Sequence, residues 1–74
     1  MKIRYLLCRH DYASHTGYGI CAVMVCRGKM IPVRLFHDLS SDKVSVLRLI
    51  QRCNTGLLSL CHLRDVIDDY LAGL

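Results

Sequence analysis

Three groups of residues in this 74-residue chain have the types that chemistry needs. Cys8 and His10 stand two apart, so an extended strand puts both on one face. A hairpin centred near Ser14 sets Cys21 directly across from Cys8, and His15 in the turn supplies a fourth donor. Two sulfurs and two imidazoles are a zinc donor set. Structural zinc sites, however, usually show paired short Cys or His spacings, and none occurs here. Cys8, His10 and Asp11 also have the types of a nucleophile, a base and an orienting group. Strand alternation sends Asp11 to the face opposite His10, which separates them. Cys61 and His62 are neighbours and diverge by ~100° on a helix. Asp65, Asp68 and Asp69 lie along one helical flank, where a solvated acidic face is the expected arrangement and a rigid helix makes a poor oxygen cage. The Gly17-x-Gly19 pair precedes a strand, not a helix, so it is no phosphate loop. The sequence therefore predicts no catalytic residues and no cofactor, with a Cys/His metal site (Cys8, His10, Cys21) as a third option.

The elements that position these residues follow from periodicity. Ile3, Tyr5 and Leu7 alternate with Lys2, Arg4 and Leu6, which is a strand. Asp11 to Gly17 collects turn formers. Tyr18 to Cys26 is apolar and rich in strand-forming types, a central strand. Arg27-Gly28 marks a tight hairpin turn. Lys29 to His37 is a third strand, placed at an edge because Pro32 lacks a ladder donor. Near Ser40 the period changes from two to 3.6. Ser40 or Ser41 is expected to cap a first helix, with Asp42 at the positive end of its dipole. Val46, Leu47, Ile50 and Cys53 form its apolar face, and Asn54-Thr55-Gly56 its stop, with a left-handed Gly56. Ser59 is expected to cap a second helix whose stripe is Leu60, Leu63, Ile67, Tyr70 and Leu71. There His62 is placed to accept from the Ser59 backbone N–H, as a capping-box Glu does. The result is one small α+β domain over residues 1–74, a three-stranded antiparallel meander followed by two helices on one face, β-β-β-α-α.

The residues Tyr18-Gly19-Ile20, Asp38-Leu39-Ser40-Ser41-Asp42-Lys43, Cys53-Asn54, Leu58-Ser59, His62-Leu63 and Val66-Ile67-Asp68-Asp69-Tyr70-Leu71 carry a resemblance. Together they resemble a family of small uncharacterised proteins from clostridia and related Gram-positive bacteria. The likeness runs over residues 18–71. It implies a bacterial, cytoplasmic protein and transfers no site residues.

Composition narrows the classes further. Hydrophobic residues are 53% and charged residues 22%, which excludes a disordered chain. The longest apolar run, Ile20 to Cys26, is too short to span a membrane. Five cysteines is an odd count, and each sits in an apolar periodic segment. That pattern fits reduced thiols in a cytoplasmic protein rather than a secreted disulfide scaffold. The net charge of +4 is spread singly along the chain, and the sequence has one Phe and no Trp. A dense basic stripe interleaved with stacking rings is absent.

The two faces of the sheet then separate. With a two-residue turn at Arg27-Gly28, Met24 opposes Ile31, Ala22 opposes Val33 and Ile20 opposes Leu35. These residues, with Ile3, Tyr5 and Leu7, form the face under the helices, and the shared core is expected to be Ile20, Val33, Leu35, Leu47, Ile50, Leu63 and Ile67. The other face carries Lys2, Arg4, Leu6, Cys8, His10, Cys21, Val23, Val25, Met30, Arg34 and Phe36. Two helices cover one side only, so this second face is expected to be an interface. Val23, Val25, Met30 and Phe36 are its expected bearers, with Arg4 and Arg34 at the rim. The function expected is a small non-enzymatic protein-interaction module, a homodimer or a docking partner for another protein. The alternative is nucleic-acid binding on the same face through Lys2, Arg4, Arg34 and Phe36. A 74-residue chain is near the lower limit for folding alone, so a partner surface would add stability.

Overall fold

The computed structural model describes residues 2–73. Three strands, β1 (Lys2–Asp11), β2 (Thr16–Cys26) and β3 (Lys29–Ser40), form one antiparallel sheet in the order β1-β2-β3. Helix α1 (Lys43–Thr55) follows, then a 3₁₀ turn (Leu60–His62) that runs into α2 (Leu63–Ala72). The expected β-β-β-α-α arrangement is the one found. No helix among the described residues is long and apolar enough to cross a membrane.

The β2–β3 hairpin turns on Arg27 (φ 52°) and Gly28 (φ 77°). Two successive left-handed residues match the twist of the flanking strands. Close to this turn the register is as expected, with Cys26 opposite Lys29 and Met24 opposite Ile31. Beyond it, Val23 pairs with Pro32 and Ala22 with Arg34, so Val33 is an inserted bulge residue. Proline cannot donate to the ladder, and a bulge beside it accommodates the missing bond. The insertion moves every later residue of β3 by one. Phe36, not Leu35, opposes Ile20 and packs on the helix-side core, while Leu35 turns to the other face and is half exposed.

A second irregularity follows. Ile20 opposes Phe36 but Tyr18 opposes Ser40, so three residues of β3 pass a single residue, Gly19. A Cβ on Gly19 would overlap the Phe36 carbonyl oxygen, and one on Gly17 would overlap the Asp38 carboxylate. At Gly19, where the obstacle is backbone, only glycine admits this close approach. β3 thereby folds over β2 at this end, and the Cys8 thiol on β1 donates to the Phe36 carbonyl at 3.6 Å.

Helix α1 is capped by Asp42, whose side chain accepts from the Val44 and Ser45 N–H groups at 3.1 and 3.3 Å. Ser40 does not cap; its Oγ accepts from the Asp42 N–H instead. The buried face is Val46, Leu49, Ile50 and Cys53, so Leu49 holds the place expected for Leu47, which is 41% exposed. The helix ends in a Schellman motif. Leu58 N–H donates to the Cys53 carbonyl and Leu57 N–H to Asn54, with Leu57 at φ 50°. The left-handed residue is thus Leu57 and not Gly56, which stays helical at φ −79°. Before α2, Ser59 Oγ meets His62 Nδ1 at 2.9 Å. The ring contacts the Ser59 hydroxyl rather than its backbone N–H, and the His62 N–H closes the turn onto the Ser59 carbonyl.

The core is Tyr5, Ile20, Ala22, Leu39, Val46, Leu49, Ile50, Cys53, Leu63 and Ile67. Val33 packs against it, whereas the expected members Leu35 and Leu47 lie outside. One polar device joins the helices to the sheet. Asn54 Oδ1 accepts from the Tyr5 N–H and its Nδ2 donates to the Tyr5 carbonyl, both at 2.9 Å. The Tyr5 hydroxyl donates to the Leu58 carbonyl at 2.6 Å. The amide side chain acts as a one-residue strand on the edge of β1. The free edge of β1 is therefore occupied at its centre.

Candidate interaction surface

The face of the sheet away from the helices is built by alternation from fixed registers. β1 contributes Lys2, Arg4, Leu6, Cys8 and His10; β2 contributes Cys21, Val23 and Val25; β3 contributes Met30, Pro32 and Leu35. Its rows are Lys2-Val25-Met30, Arg4-Val23-Pro32 and Leu6-Cys21-Leu35. Eight of these side chains are apolar or thiols, and they are contiguous over three strands. Val23 sits at the centre and is only 4% exposed, although it lies outside the helix-side core. Neighbouring side chains on the same face hold it out of water. Around it Leu6, Leu35 and Met30 are exposed, Met30 to 63%.

The expected bearers fall as follows. Val23, Val25 and Met30 lie on this face, with Arg4 exposed beside Val23. Phe36 does not: the bulge at Val33 turns it under the helices. Arg34 stands at that bulge opposite Ala22, exposed, and its guanidinium donates to the Val33 carbonyl at 2.9 Å. It is therefore outside the alternating rows of the open face. Leu35 and Pro32 are the residues that sequence reasoning missed. Pro32 was itself the available signal, since a proline inside a strand marks an edge or a bulge.

The far end of the face is polar. His10 and Tyr12 rings stand 4.5 Å apart, Tyr12 stacks on His15 at 4.8 Å, and His37 reaches His10 at 6.0 Å. His15 bridges Ser14 and Asp38, each at 3.1 Å. These contacts fasten the β1–β2 turn to the segment of β3 that crosses Gly17 and Gly19. The order hydroxyl–imidazole–carboxylate has the residue types of a catalytic relay, and the contacts lie exposed at the surface.

The expected zinc donors do not converge. Cys8 opposes Gly19 and Cys21 opposes Leu6, so the two sulfurs are diagonal rather than facing. Among the described residues no group of three His, Cys, Asp or Glu side chains is arranged to hold a metal ion. All five cysteines are free thiols. Burial, and then the neighbouring Cys21, pushes the Cys8 thiol above its ordinary pKa, and burial does the same to Cys53. A protonated Cys8 behaves as a small apolar group within the patch.

The sequence profile of a family of unknown function, DUF6514, matches residues 1–73. The chain belongs to the DUF6514 family. No curated protein and no solved structure matches it. Within this DUF6514 member, three of the residues that carry the sequence resemblance sit at structural junctions: Gly19 under β3, Asp42 at the α1 cap and Asn54 on the β1 edge.

Proposed function

We propose that this chain is a small interaction module that pairs with a second copy of itself through the open sheet face. The observation that carries this is the contiguous apolar surface over all three strands, opposite the helix layer. With strands ~4.8 Å apart and ~3.3 Å per residue, the three rows cover on the order of 300 Å² per copy. A pair buries on the order of 600 Å² from these rows, the size of a weak or transient contact, so self-association is expected at high protein concentration.

Charge selects the orientation. Lys2 and Arg4 lie at one end of the face, and Asp38, folded over Gly17, lies at the other. A two-fold axis in the sheet plane and perpendicular to the strands brings Lys2 and Arg4 to Asp38 of the second copy, with Leu35 near the axis. An axis along the strands leaves these cations without that partner. The product is a four-layer α-β-β-α assembly with aligned sheets.

Nucleic-acid binding on this face is less well supported. Its one Phe lies under the helices, and Lys2 and Arg4 flank an apolar centre that offers no stacking ring. The reading includes a reducing cytoplasmic setting, supported by five free thiols, and no enzymatic activity. A Gram-positive bacterial source rests on the sequence resemblance alone.

Sedimentation equilibrium of wild type and Leu35→Asp tests the proposal. Leu35 is half exposed in the single chain, so the substitution leaves the fold intact by circular dichroism. Wild type should fit a monomer–dimer equilibrium and Leu35→Asp a monomer. A monomeric wild type at millimolar concentration, or an unchanged dimer in the variant, contradicts it. A protein that binds oligonucleotides with steep salt dependence would favour the nucleic-acid reading instead.

A further inference from the structure

On the opposite side of the molecule, α1 and α2 enclose a trough with one charged end and one apolar end. Ser45, Arg48 and Arg52 follow at i, i+3 and i+7 along one flank of α1. Tyr70 of α2 faces them, its hydroxyl 2.7 Å from Ser45 Oγ. Two clefts meet here, and Arg52 and Tyr70 line both. One, of about 400 Å³, is walled by Cys53, Leu58 and Val66. The other, of about 580 Å³, is walled by Ser45, Arg48 and Gln51.

The charges at this site are uncompensated. The ion pairs among the described residues are Arg9–Asp11 and His15–Asp38, so neither Arg48 nor Arg52 has a carboxylate within pairing distance. Two carboxylates do border the trough. Asp42 is committed to the α1 cap, and Asp69 lies at the apolar end, beside Arg52 but not paired to it. Two guanidiniums one helical turn apart, with the Tyr70 hydroxyl between the clefts, form a donor set for a tetrahedral or planar anion. The adjoining apolar cleft is large enough for an aromatic ring.

We infer that this trough binds a small amphiphilic organic anion, with a phosphate or carboxylate head on Arg48 and Arg52 and an apolar body against Leu58 and Val66. The site shares no residue with the open sheet face. Its occupancy is independent of self-association.

Phenyl phosphate is a direct probe, followed by amide chemical-shift titration and calorimetry on the full chain, with inorganic phosphate and benzoate as companion ligands. Phenyl phosphate should shift α1 and α2 resonances around Arg52 and Tyr70 and bind at least about tenfold more tightly than inorganic phosphate. Arg52→Gln and Arg48→Gln should each weaken it about tenfold, while Arg64→Gln leaves it unchanged. Benzoate binding at the same resonances extends the head group to carboxylates, and its failure narrows the ligand to phosphates; either outcome supports the site. Absence of saturable binding to about 10 mM phenyl phosphate, equal affinity for inorganic phosphate, or indifference to both arginine substitutions overturns the inference.

Discussion

Replacing Asn54 by Ala should loosen the joint between helix and sheet more than any other single polar change. The side chain makes two hydrogen bonds of 2.9 Å to the backbone of Tyr5, 49 residues away, and both are partly buried. Each neutral bond contributes about 1 kcal/mol net, and each Tyr5 group left without a partner costs about 1 kcal/mol or more where water enters poorly. The sum is about 2–4 kcal/mol. At about 4–8 °C per kcal/mol for a domain of this size, the melting temperature should fall by at least about 8 °C. Asn54→Asp should cost at least as much at neutral pH. It keeps the acceptor for the Tyr5 N–H but sets a carboxylate against the Tyr5 carbonyl, and part of the loss should return near about pH 4, as the introduced carboxyl regains a donor proton. Urea unfolding at fixed protein concentration gives the free energies, and the exchange rate of the Tyr5 amide reports the bond itself. A loss below about 0.5 kcal/mol with unchanged Tyr5 protection would refute the reasoning.

Other consequences are equally specific. Leu57→Gly should stabilise the protein by about 0.5–1 kcal/mol, because Leu57 holds the left-handed Schellman position at φ 50°, whereas Leu57→Ala keeps the strain and should be neutral; thermal melts of both variants decide it. The Asp11 carboxyl is held below its ordinary pKa by the Thr16 hydroxyl, then by Arg9. A depressed folded-state pKa means stability present above the unfolded value of about 3.9 and lost as pH falls through the folded one, so Asp11→Asn should flatten acid unfolding below about pH 4. Iodoacetamide should modify the exposed Cys26 and Cys61 first, while burial and raised pKa values slow Cys8 and Cys53; peptide mapping over time would reveal a different order.

Local signals in the sequence located the three strands and two helices, but not the 3₁₀ turn that opens the second helix. The switch from period two to 3.6 near Ser40 separates sheet from helices, and Arg27-Gly28 sits at the tight turn. Details failed where a neighbouring residue took the same role. Asp42 displaces Ser40 and Ser41 as cap because a carboxylate also suits the helix dipole, and Leu57 accepts the left-handed position although Gly56 is adjacent. The candidate surface was half legible. Strand alternation put Arg4, Val23, Val25 and Met30 on the sheet face away from the helices, where they lie, but alternation is blind to an inserted residue. One bulge at Val33 exchanged Phe36 for Leu35 on the open face. The Asn54–Tyr5 bridge and the passage of β3 over Gly19 depend on contacts far apart in sequence, which no local pattern encodes.

The most direct test of self-association is an isotope-filtered NOE experiment on a mixture of ¹³C-labelled and unlabelled protein. With the axis near Leu35, intermolecular contacts are expected at the Leu35 and Leu6 methyl groups, each with its own counterpart in the second copy, and none from Leu47 or Leu71 on the helices. Intermolecular contacts confined to Leu47 and Leu71, or none at millimolar concentration, would contradict self-association through this face.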